Sequence, residues 1–597
     1  MFGTNERFTL RQAVFTREAS FWAMYEDFKE PVLGVTVIKD GVFLENRQNV
    51  LILEATLNGA PVPYTYYSDE SLLRMDTAHG TVEFCMDGAG QLRIRGRGVG
   101  LRMRVRAEKP FGSTEGCRGV YPTADGAWEA DFGYSGKILF VPLDGAFLVS
   151  APKDGEGRFY ERVVFDFLPD VKNGAFEAVL HEYMTWRGRD RVYESFDAVR
   201  GATARAFEDF VNNNLKPPAK GWEELYRYAA YTVWSHRTAV CGAYLDTMAM
   251  YQQIWGGNCM GWQQSYNAMP MLKNPAEGWR LIRTLFAHQR PSGQIPGSVA
   301  YYGAGSMGMQ PAFQGLALDW LIHSCGEDFL TPESCGEMYP RFTKWLNFWL
   351  KYRNAGYGDD RVYIINANES GWDDASEYVK GFPVETPDLY AFMILMMDCA
   401  GVLARRSGRH DEAESWTKRA RALNDRLCGD LWNGERFFAY LTNTGEHVDS
   451  LSLATYQALV LGDKRIPKHI SDKLAESVMS PDYLTDIGLT TESLKSPYCH
   501  FGYNFVLGRV ITPCNMLTAV GLYRCGKREE AREICRNVCS NLLDKGLLLG
   551  FQPFDYEPTT GEPVVGYTIP SASDVWPWSA WAASSCLVML TGILPDD

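Results

Sequence analysis

The sequence lacks the features of several large protein classes. No stretch of its 597 residues approaches the roughly 18 consecutive apolar residues that a membrane-spanning helix needs. The first ten residues, MFGTNERFTL, lack the basic segment followed by an apolar segment that marks a secretion signal. A formal net charge of -14 leaves no broad positive field for nucleic acid. We therefore expect a cytoplasmic protein without a membrane or polynucleotide partner.

Cysteine and histidine are present, but they are not grouped. The 14 Cys are scattered, and the closest pair, Cys535 and Cys539, has helical i,i+4 spacing rather than the spacing of a CxxC motif. Free cysteines of this kind usually serve as small hydrophobes. The nine His form no HExxH motif and no Cys/His cluster. We expect no catalytic transition metal and no cofactor.

The chain does contain enough apolar material for more than one core. Hydrophobic residues make up 46% of it, and its length exceeds the usual size of a single core. Up to about residue 175 short strands alternate with Gly, Pro and Asp, and in residues 101–106 three apolar residues alternate with three arginines. This pattern predicts an N-terminal β-sandwich over residues 1–175. The arginine row is either a solvated strand face, the commoner case, or a ligand face. Further strands are predicted at 32–37, 50–53, 138–141 and 147–149.

The second half has a helical pattern. After a charged connector, predicted to be helical over residues 176–215, the apolar period becomes about 3.6. Phe342, Trp345, Leu346 and Trp349 mark a helix that buries one face, whereas residues 389–397 and 516–522 are apolar nearly all round, as in an enclosed helix. The alternation of the two types predicts an (α/α)6 toroid over residues 216–597. A helical solenoid is the rival, but no fixed repeat of roughly 34 or 40 residues is visible.

Long loops of the helical half are rich in aromatic and amide side chains. Trp255, Asn258, Trp262 and Tyr266 belong to one such loop, and a later Pro/Gly turn, HQRPSGQIP at 288–296, displays an Arg and two Gln. Aromatic faces stack on the apolar faces of sugars, and amides read hydroxyls as donors and acceptors. The combination suits a carbohydrate ligand, although any single Trp is as readily explained as core.

A third loop, residues 366–376, carries three carboxylates within six residues. Glu369, Asp373 and Asp374 lie beside Trp372 and a glycine. Like charges at this density, partly desolvated by an aromatic ring, tend to raise one pKa and leave the others ionised. Protonation of a glycosidic oxygen requires a carboxylic acid of that kind. An acidic surface loop is the alternative for such a run standing alone.

At residues 369–376, ESGWDDAS resembles the acid-bearing motif of trehalases and of the processing α-glucosidase family. These are the inverting glycoside hydrolases of families 37 and 63, whose relatives include mannosylglycerate hydrolase. Further segments resemble this group in the same order along the chain: the Trp-rich loop 255–269, the turn 288–296, GRVITPCN at 508–515, YEPTTG at 556–561 and WPWSA at 576–580. The resemblance implies a mainly α fold, an (α/α)6 barrel, often with an N-terminal β-sandwich.

The resemblance also implies the catalytic residues. Asp373, the first Asp after Gly-Trp, takes the position of the general acid. The catalytic base of the group is a Glu two residues before the Tyr of Tyr-x-Pro-x-Thr-Gly, and here Phe554 occupies that position. Asp555 is the first alternative because it needs the smallest backbone adjustment, Glu557 is the second, and Glu562 and Asp574 are more distant.

The leading hypothesis is an inverting exo-glycosidase that acts on an α-linked, gluco-configured or related small saccharide or glycoside. The residues expected to shape and read the glycone pocket are Trp255, Asn258, Trp262, Tyr266, Arg290, Gln294, Glu369, Trp372, Arg509 and Trp578. Phe554 motivates two alternatives. One is a phosphorylase, in which Arg509 or Arg290 binds inorganic phosphate. The other is a carbohydrate-binding protein that has lost catalysis.

Overall fold

The structure is a computed structural model of the chain. It describes residues 10, 14–26, 32–37, 51–88, 90–105, 117–132, 136–153, 160, 162–183, 192–250, 257–305, 308–354, 359–500, 506–545, 555–561 and 579–595.

The N-terminal part is built from strands. They are β1 Trp22–Glu26, β2 Leu33–Val37, β3 Leu51–Leu57, β4 Ala60–Pro61, β5 Thr65–Ser68, β6 Leu73–Asp76, β7 Thr81–Met86, β8 Gln91–Arg97, β9 Gly100–Val105, β10 Gly119–Pro122, β11 Trp128–Asp131, β12 Lys137–Asp144, β13 Ala146–Ser150, β14 Val164–Leu168 and β15 Ala175–Tyr183. The five predicted strands overlap β2, β3, β9, β12 and β13.

The strands form two antiparallel sheets. One has the order β1-β2-β3-β9-β14-β13, with β4 paired to β3, and the other has the order β10-β11-β12-β15-β8-β7-β6-β5. Aromatic rings join the two sheets: Phe140 of β12 stacks on Phe165 of β14 with 4.0 Å between ring centroids. The N-terminal domain is therefore all-β, with its apolar core between the sheets.

The alternation in β9 buries the apolar residues of one face, as predicted. Leu101 and Met103 are buried in the core. On the other face, Arg102 pairs with Asp166 of β14 at 2.8 Å, and Arg104 pairs with Glu54 of β3 at 2.9 Å. Arg102 and Arg104 thus bind carboxylates of the two neighbouring strands on a partly exposed face. Arg106, the third arginine of the row, lies outside the described residues.

The assignment of residues 176–215 to a helical connector is partly wrong. Residues 175–183 form β15, an inner strand of the larger sheet between β12 and β8. Phe176, Ala178 and Leu180 point into the core, and Val179 is buried on the opposite face. Val179 and Glu182 interrupt the alternation of AFEAVLHEY, and cross-strand pairing determines the outcome because strand propensity depends strongly on context. A helix is present only later in the connector, from Phe196 to Asn214.

The remainder of the described chain is mainly helical. The α-helices are α1 Phe196–Asn214, α2 Glu223–Ser235, α3 Gly261–Tyr266, α4 Pro275–Thr284, α5 Gln314–Cys325, α6 Pro332–Tyr352, α7 Pro387–Arg406, α8 His410–Asp430, α9 Lys468–Val478, α10 Thr512–Arg524, α11 Arg528–Lys545 and α12 Ala580–Val588. Short strands in the loops are β16 Cys259–Met260, β17 Ser298–Ala300, β18 Gly303–Gly305, β19 Val384–Glu385, β20 Ala439–Leu441, β21 His447–Val448, β22 Leu484–Thr485, β23 Gly488–Leu489, β24 Val510–Ile511 and β25 Asp555–Tyr556. Segments Leu285–His288, Ala367–Glu369, Ser376–Tyr378 and Leu453–Leu461 are 3-10 helical, and Met589–Ile593 is a π-helical turn.

The helices are of two kinds, as predicted. In α6 the four predicted aromatic and leucine residues are buried, while the opposite face is polar. The apolar runs of α7 and α10 are buried on all sides. By length and composition α7 could cross a membrane, but 89% of its most apolar window is buried inside the protein, as is usual for the core helix of a folded domain.

The enclosed segments contact one another in a closed cycle. The order is α3, α5, α7, Leu453–Leu461, α10 and α12, and α12 contacts α3 again. The other helices, α2, α4, α6, α8, α9 and α11, pack against members of this cycle. The N-terminal ends of α5, α7 and α10 follow long loops, and those loops carry the motifs of interest.

The two domains are joined by a turn of the β-domain. Glu18 accepts a hydrogen bond from Arg237 at 2.6 Å and another from the indole of Trp234 at 3.1 Å. Arg237 is buried and also pairs with Glu277 of α4 at 2.6 Å. Phe21 stacks on Tyr244 with 6.1 Å between centroids. The β-domain therefore supports the segment that leads into the Trp-rich loop.

Candidate active site

The acid loop, residues 366–376, lies in the connection between α6 and α7. Gly371 has a φ of +80°, and a Cβ atom built at this position would overlap the ring of Trp262. Only glycine suits both the backbone conformation and the contact. The turn buries Trp372 and leaves Asp373 exposed to solvent.

Asp373 has the electrostatic properties that a general acid needs. Desolvation by the surrounding protein raises its pKa to about 6, and the charge of Asp374 adds to the shift. The carboxyl is open to solvent on one side, but the protein atoms around it displace enough water to disfavour the charged form. A large fraction of the Asp373 side chains is therefore protonated near pH 6.

Glu369 anchors the acid loop instead of facing an open site. It is 1% exposed, and Arg353 contacts it at 2.6 Å through Nη2 and at 3.0 Å through Nε. The backbone N–H of Ile365 donates to the same carboxylate at 3.0 Å. A buried carboxylate held by these donors cannot read a sugar hydroxyl, so the predicted binding role of Glu369 is replaced by a structural one.

Trp262 and Tyr266 belong to an aromatic cluster behind the acid loop. Tyr266 stacks on Phe313 with 4.2 Å between centroids, and Trp262 lies 5.2 Å from Trp581 of α12. Tyr266 is fully buried, and burial raises the pKa of its phenol well above the usual range. Trp262 touches Gly371, so this cluster supports the loop that carries Asp373.

The predicted turn 288–296 packs against the outer helix α6. The guanidinium of Arg290 donates to the side-chain oxygen of Gln294 at 3.3 Å, and the two backbones pair at 2.8 Å. A Cβ on Gly293 would overlap the carbonyl oxygen of Lys344 in α6. The described side-chain contacts of Arg290 and Gln294 are with each other, not with the acid loop. The turn does continue into β17, which pairs with β16 directly before Trp262.

Asp374 connects the acid loop to a second segment of the chain. Its Oδ1 accepts a hydrogen bond of 2.8 Å from the backbone N–H of Val506. β24 begins four positions after Val506 and pairs with β25, so that Val510 lies opposite Tyr556 and Ile511 lies opposite Asp555. The structure therefore brings the acid loop and the segment that contains Asp555 to the same side of the helical domain.

Glu557 is occupied by its own turn. Its carboxylate accepts hydrogen bonds from the backbone N–H groups of Thr559 at 3.1 Å and Thr560 at 2.5 Å, and from the Thr559 hydroxyl. Burial would raise the pKa of Glu557, but these hydrogen bonds outweigh it and lower the pKa. This use of both oxygens makes Glu557 a weak candidate for the base.

Several predicted residues lie outside the described part of the chain or deep within it. Trp255, Phe554, Glu562, Asp574 and Trp578 lie outside the described residues. Asn258 and Arg509 are buried, at 6% and 1% exposure. Arg509 directly precedes β24, and its carbonyl oxygen accepts from the N–H of Thr491.

Sequence reasoning missed a cluster of buried carboxyls beneath the acid loop. Glu377, Asp388 and Glu492 are all fully buried. Desolvation raises the pKa of Glu492 to about 7 and that of Asp388 to about 6. Desolvation also raises the pKa of Glu377 well above its usual range, with help from the charges of Asp388 and Glu492. Ser376 donates to Glu492 at 2.9 Å, which ties the cluster to the end of the acid loop. Nothing in the sequence around these acids signals burial.

The arrangement can donate a proton from a solvent-accessible carboxyl that is rigidly supported. Arg353, Trp262 and Glu492 hold the loop through the contacts given above. Within the described residues, no group of three or more His, Cys, Asp or Glu side chains is arranged to hold a metal ion. The chemistry that these residues offer by themselves is proton transfer by carboxyl groups.

The chain is similar to one family model and to several solved structures. A family model described as the mannosylglycerate hydrolase MGH1-like glycoside hydrolase domain matches residues 262–579. A bacterial glucoamylase complexed with acarbose is 12% identical with a TM-score of 0.59, covering 97% of this chain and 93% of that chain. The GH63 mannosylglycerate hydrolase from Thermus thermophilus in complex with glucose is 14% identical with a TM-score of 0.45, covering 65% of this chain and 98% of that chain. No curated protein matches the sequence.

The likeness to the glucoamylase concerns the fold. Because it extends over nearly the whole chain, it includes the all-β domain as well as the helical domain. The helical domain thus resembles those of six-hairpin glycosidases.

Proposed function

The chain belongs to the mannosylglycerate hydrolase MGH1-like glycoside hydrolase family and is a glycoside hydrolase, and from that premise we propose an inverting exo-glycosidase with Asp373 as its general acid. The substrate is a small saccharide or glycoside with an α-linked, gluco-configured or related sugar. The raised pKa of Asp373, on a loop whose sequence matches the acid motif of the group, is the observation that carries the proposal.

We propose that the helical domain is an (α/α)6 toroid that begins near residue 216 and carries the whole catalytic site. The closed cycle of enclosed segments, with the remaining helices packed outside it, supports this architecture. In a toroid the loops at one end of the inner helices converge on a central pocket. The acid loop and β24 precede the inner helices α7 and α10, respectively, as such a pocket requires.

In the proposed reaction Asp373 protonates the leaving glycosidic oxygen, while a second carboxylate deprotonates a water molecule on the opposite face of the sugar. Inverting enzymes hold the two carboxyls about 6.5–9.5 Å apart so that water fits between them. We propose Asp555 as the base. Its strand pairs with β24, and β24 follows shortly after the segment bound by Asp374. The self-contained hydrogen bonding of Glu557 supports the same choice.

We further propose that the enzyme acts in the cytoplasm on free small molecules. All 14 cysteines are free thiols, which suits a reducing compartment. The net charge of -14 favours neither nucleic acid nor an anionic membrane surface.

A substrate panel tests the proposal. Purified protein is incubated with nitrophenyl glycosides and α-linked disaccharides, with and without phosphate. We expect release of free sugar independent of phosphate, and we expect Asp373→Asn to lower kcat by a factor of at least about 10³ while ligand binding persists, because the proton donor is lost with little change of shape.

The exposed variant Asp411→Asn on α8 is the matched control, and it should keep wild-type turnover. Full turnover by Asp373→Asn would remove Asp373 from the mechanism. Sugar phosphate formed only with phosphate would replace hydrolysis by phosphorolysis.

A further inference from the structure

We propose that Asp374 is a positioning residue that fixes the separation between the general acid and the opposite catalytic carboxylate by holding residues 506–511 against the acid loop. The inference rests on the proposed function of Asp373. It assigns a role to a second carboxylate of the acid motif, which contributes no proton transfer of its own.

The geometry supplies a continuous path. Asp374 follows Asp373 directly in the chain, and its Oδ1 binds the backbone N–H of Val506 at 2.8 Å. Val506 is 1% exposed, so this hydrogen bond lies at a packed junction. The chain then runs through Arg509 to β24, which pairs with the strand of Asp555. A shift of Asp374 is therefore transmitted through backbone to the candidate base.

Residues 491–492 provide further contacts between the acid loop and residues 506–511. Gly508 donates its N–H to the Thr491 hydroxyl at 3.1 Å, and the N–H of Thr491 donates to the carbonyl of Arg509 at 2.8 Å. On the acid-loop side, Ser376 binds Glu492, the residue next to Thr491. Asp374 thus closes a loop of contacts in which the other connections are made through residues 491–492.

Asp374 has a second, electrostatic effect on its neighbour. Its negative charge disfavours the ionised form of Asp373 and so keeps the acid protonated to higher pH. The other ionisable groups on the elements packed here include Glu369, which is paired with Arg353, and Tyr378, which donates to Ser370. The buried carboxyls Glu377, Asp388 and Glu492 lie beneath the loop, and Glu492 accepts from Ser376. The 506–511 segment and its partner strand add Arg509, Asp555, Tyr556 and Glu557. Of the described charged groups, Asp374 is the one whose charge shifts the pKa of Asp373.

Three variants separate positioning from charge. Asp374→Asn removes the charge but keeps an oxygen that can accept from Val506, Asp374→Ala removes both, and Val506→Pro removes the backbone donor while leaving the charge. Full pH profiles of kcat and kcat/KM are measured for each, together with thermal unfolding to check the fold.

Positioning predicts that kcat at the optimum falls by about 10- to 100-fold in Asp374→Ala and in Val506→Pro, as for a small misplacement of catalytic groups. Asp374→Asn should stay within about threefold of wild type. The alkaline limb should move to lower pH in both Asp374 variants, by up to about one unit, and should not move to lower pH in Val506→Pro.

Two results would overturn the inference. One is an equal kcat for Asp374→Ala and Asp374→Asn, because it would show that the hydrogen bond between Asp374 and Val506 has no effect on catalysis. The other is an alkaline limb that stays in place in both Asp374 variants. If Val506→Pro does not fold, the comparison of Asp374→Ala with Asp374→Asn still tests the positioning role of Asp374. Failure of the proposed function is distinguished by Asp373→Asn: if that variant retains turnover, the acid assignment itself is wrong.

Discussion

At the scale of single residues, Asp373 is exposed to solvent and yet has a raised pKa of about 6. The two properties are compatible because hydration depends on the volume around a carboxyl, not only on the area that water can touch. A general acid must meet its substrate and must also hold a proton near the working pH. The position of Asp373 satisfies both requirements.

This pKa predicts the pH dependence of catalysis. As the proposed general acid, Asp373 would donate only when protonated, and its protonated fraction falls as pH rises through about 6. The alkaline limb of kcat/KM should therefore lie near pH 6, while the acidic limb reports protonation of the base. Initial rates measured between about pH 3 and 9 provide the test. Activity that stays level to about pH 9 would show that another group is the acid.

The sequence predicted candidate roles for some single residues but not for others. The loop proposed to carry the acid was visible because Gly, Trp and clustered carboxylates stand together in the chain. The anchoring role of Glu369 and the burial of Glu377 were not visible, since the groups beside them, Arg353 and Glu492, are 16 and 115 positions away. Burial of a carboxyl is a property of the folded neighbourhood, and a single sequence does not carry it.

At the scale of elements, the acid loop depends on one glycine. Gly371→Ala should lower both stability and kcat, since alanine at φ +80° is strained by about 1–2 kcal/mol and its methyl group would displace Trp262. We expect kcat to fall by at least about tenfold, because Asp373 lies two residues away. Unfolding in urea and steady-state kinetics measure the two effects.

Gly408→Ala is the matched control for this variant. Gly408 has a φ of +81°, and a Cβ atom there would meet nothing within 4 Å. Gly408→Ala should lower stability through backbone strain but should keep the wild-type kcat. Equal kinetics for the two variants would mean that the contact with Trp262 does not position the acid loop.

Element types were predictable where the apolar period was clean. The one-faced pattern of α6 and the all-round pattern of α7 follow directly from which faces are covered. The strand β15 was missed because its alternation is incomplete: Val179 is apolar on the outer face, and Glu182 follows Phe176, Ala178 and Leu180 on the inner one. Pairing with β12 and β8 on both sides then overrides local preference.

At the scale of the whole molecule, the two-domain plan was predictable because strand-rich and helix-rich textures occupy different halves of the chain. The contact between the domains was not. It depends on Glu18, Arg237 and Glu277, which only the fold brings together. This contact couples the β-domain to the segment before the Trp-rich loop.

Glu18→Ala should destabilise the protein by about 1–3 kcal/mol, because Arg237 would stay buried with only Glu277 to pair with it. Denaturant unfolding provides the measurement. Asp449→Ala, which breaks an exposed pair with Arg436, is the control and should cost less than about 1 kcal/mol. Equal, small effects would show that the domain contact does not stabilise the fold.

The most direct test of the central claim follows the anomeric configuration of the first sugar released, by NMR during the initial minutes of turnover of an active glycoside. Water delivered by a base opposite Asp373 gives a product whose anomer is the opposite of that in the substrate. The account predicts this inversion. Initial release with retained configuration would require a covalent intermediate and would contradict the assignment of Asp373 and Asp555 as an acid and base acting across a water molecule.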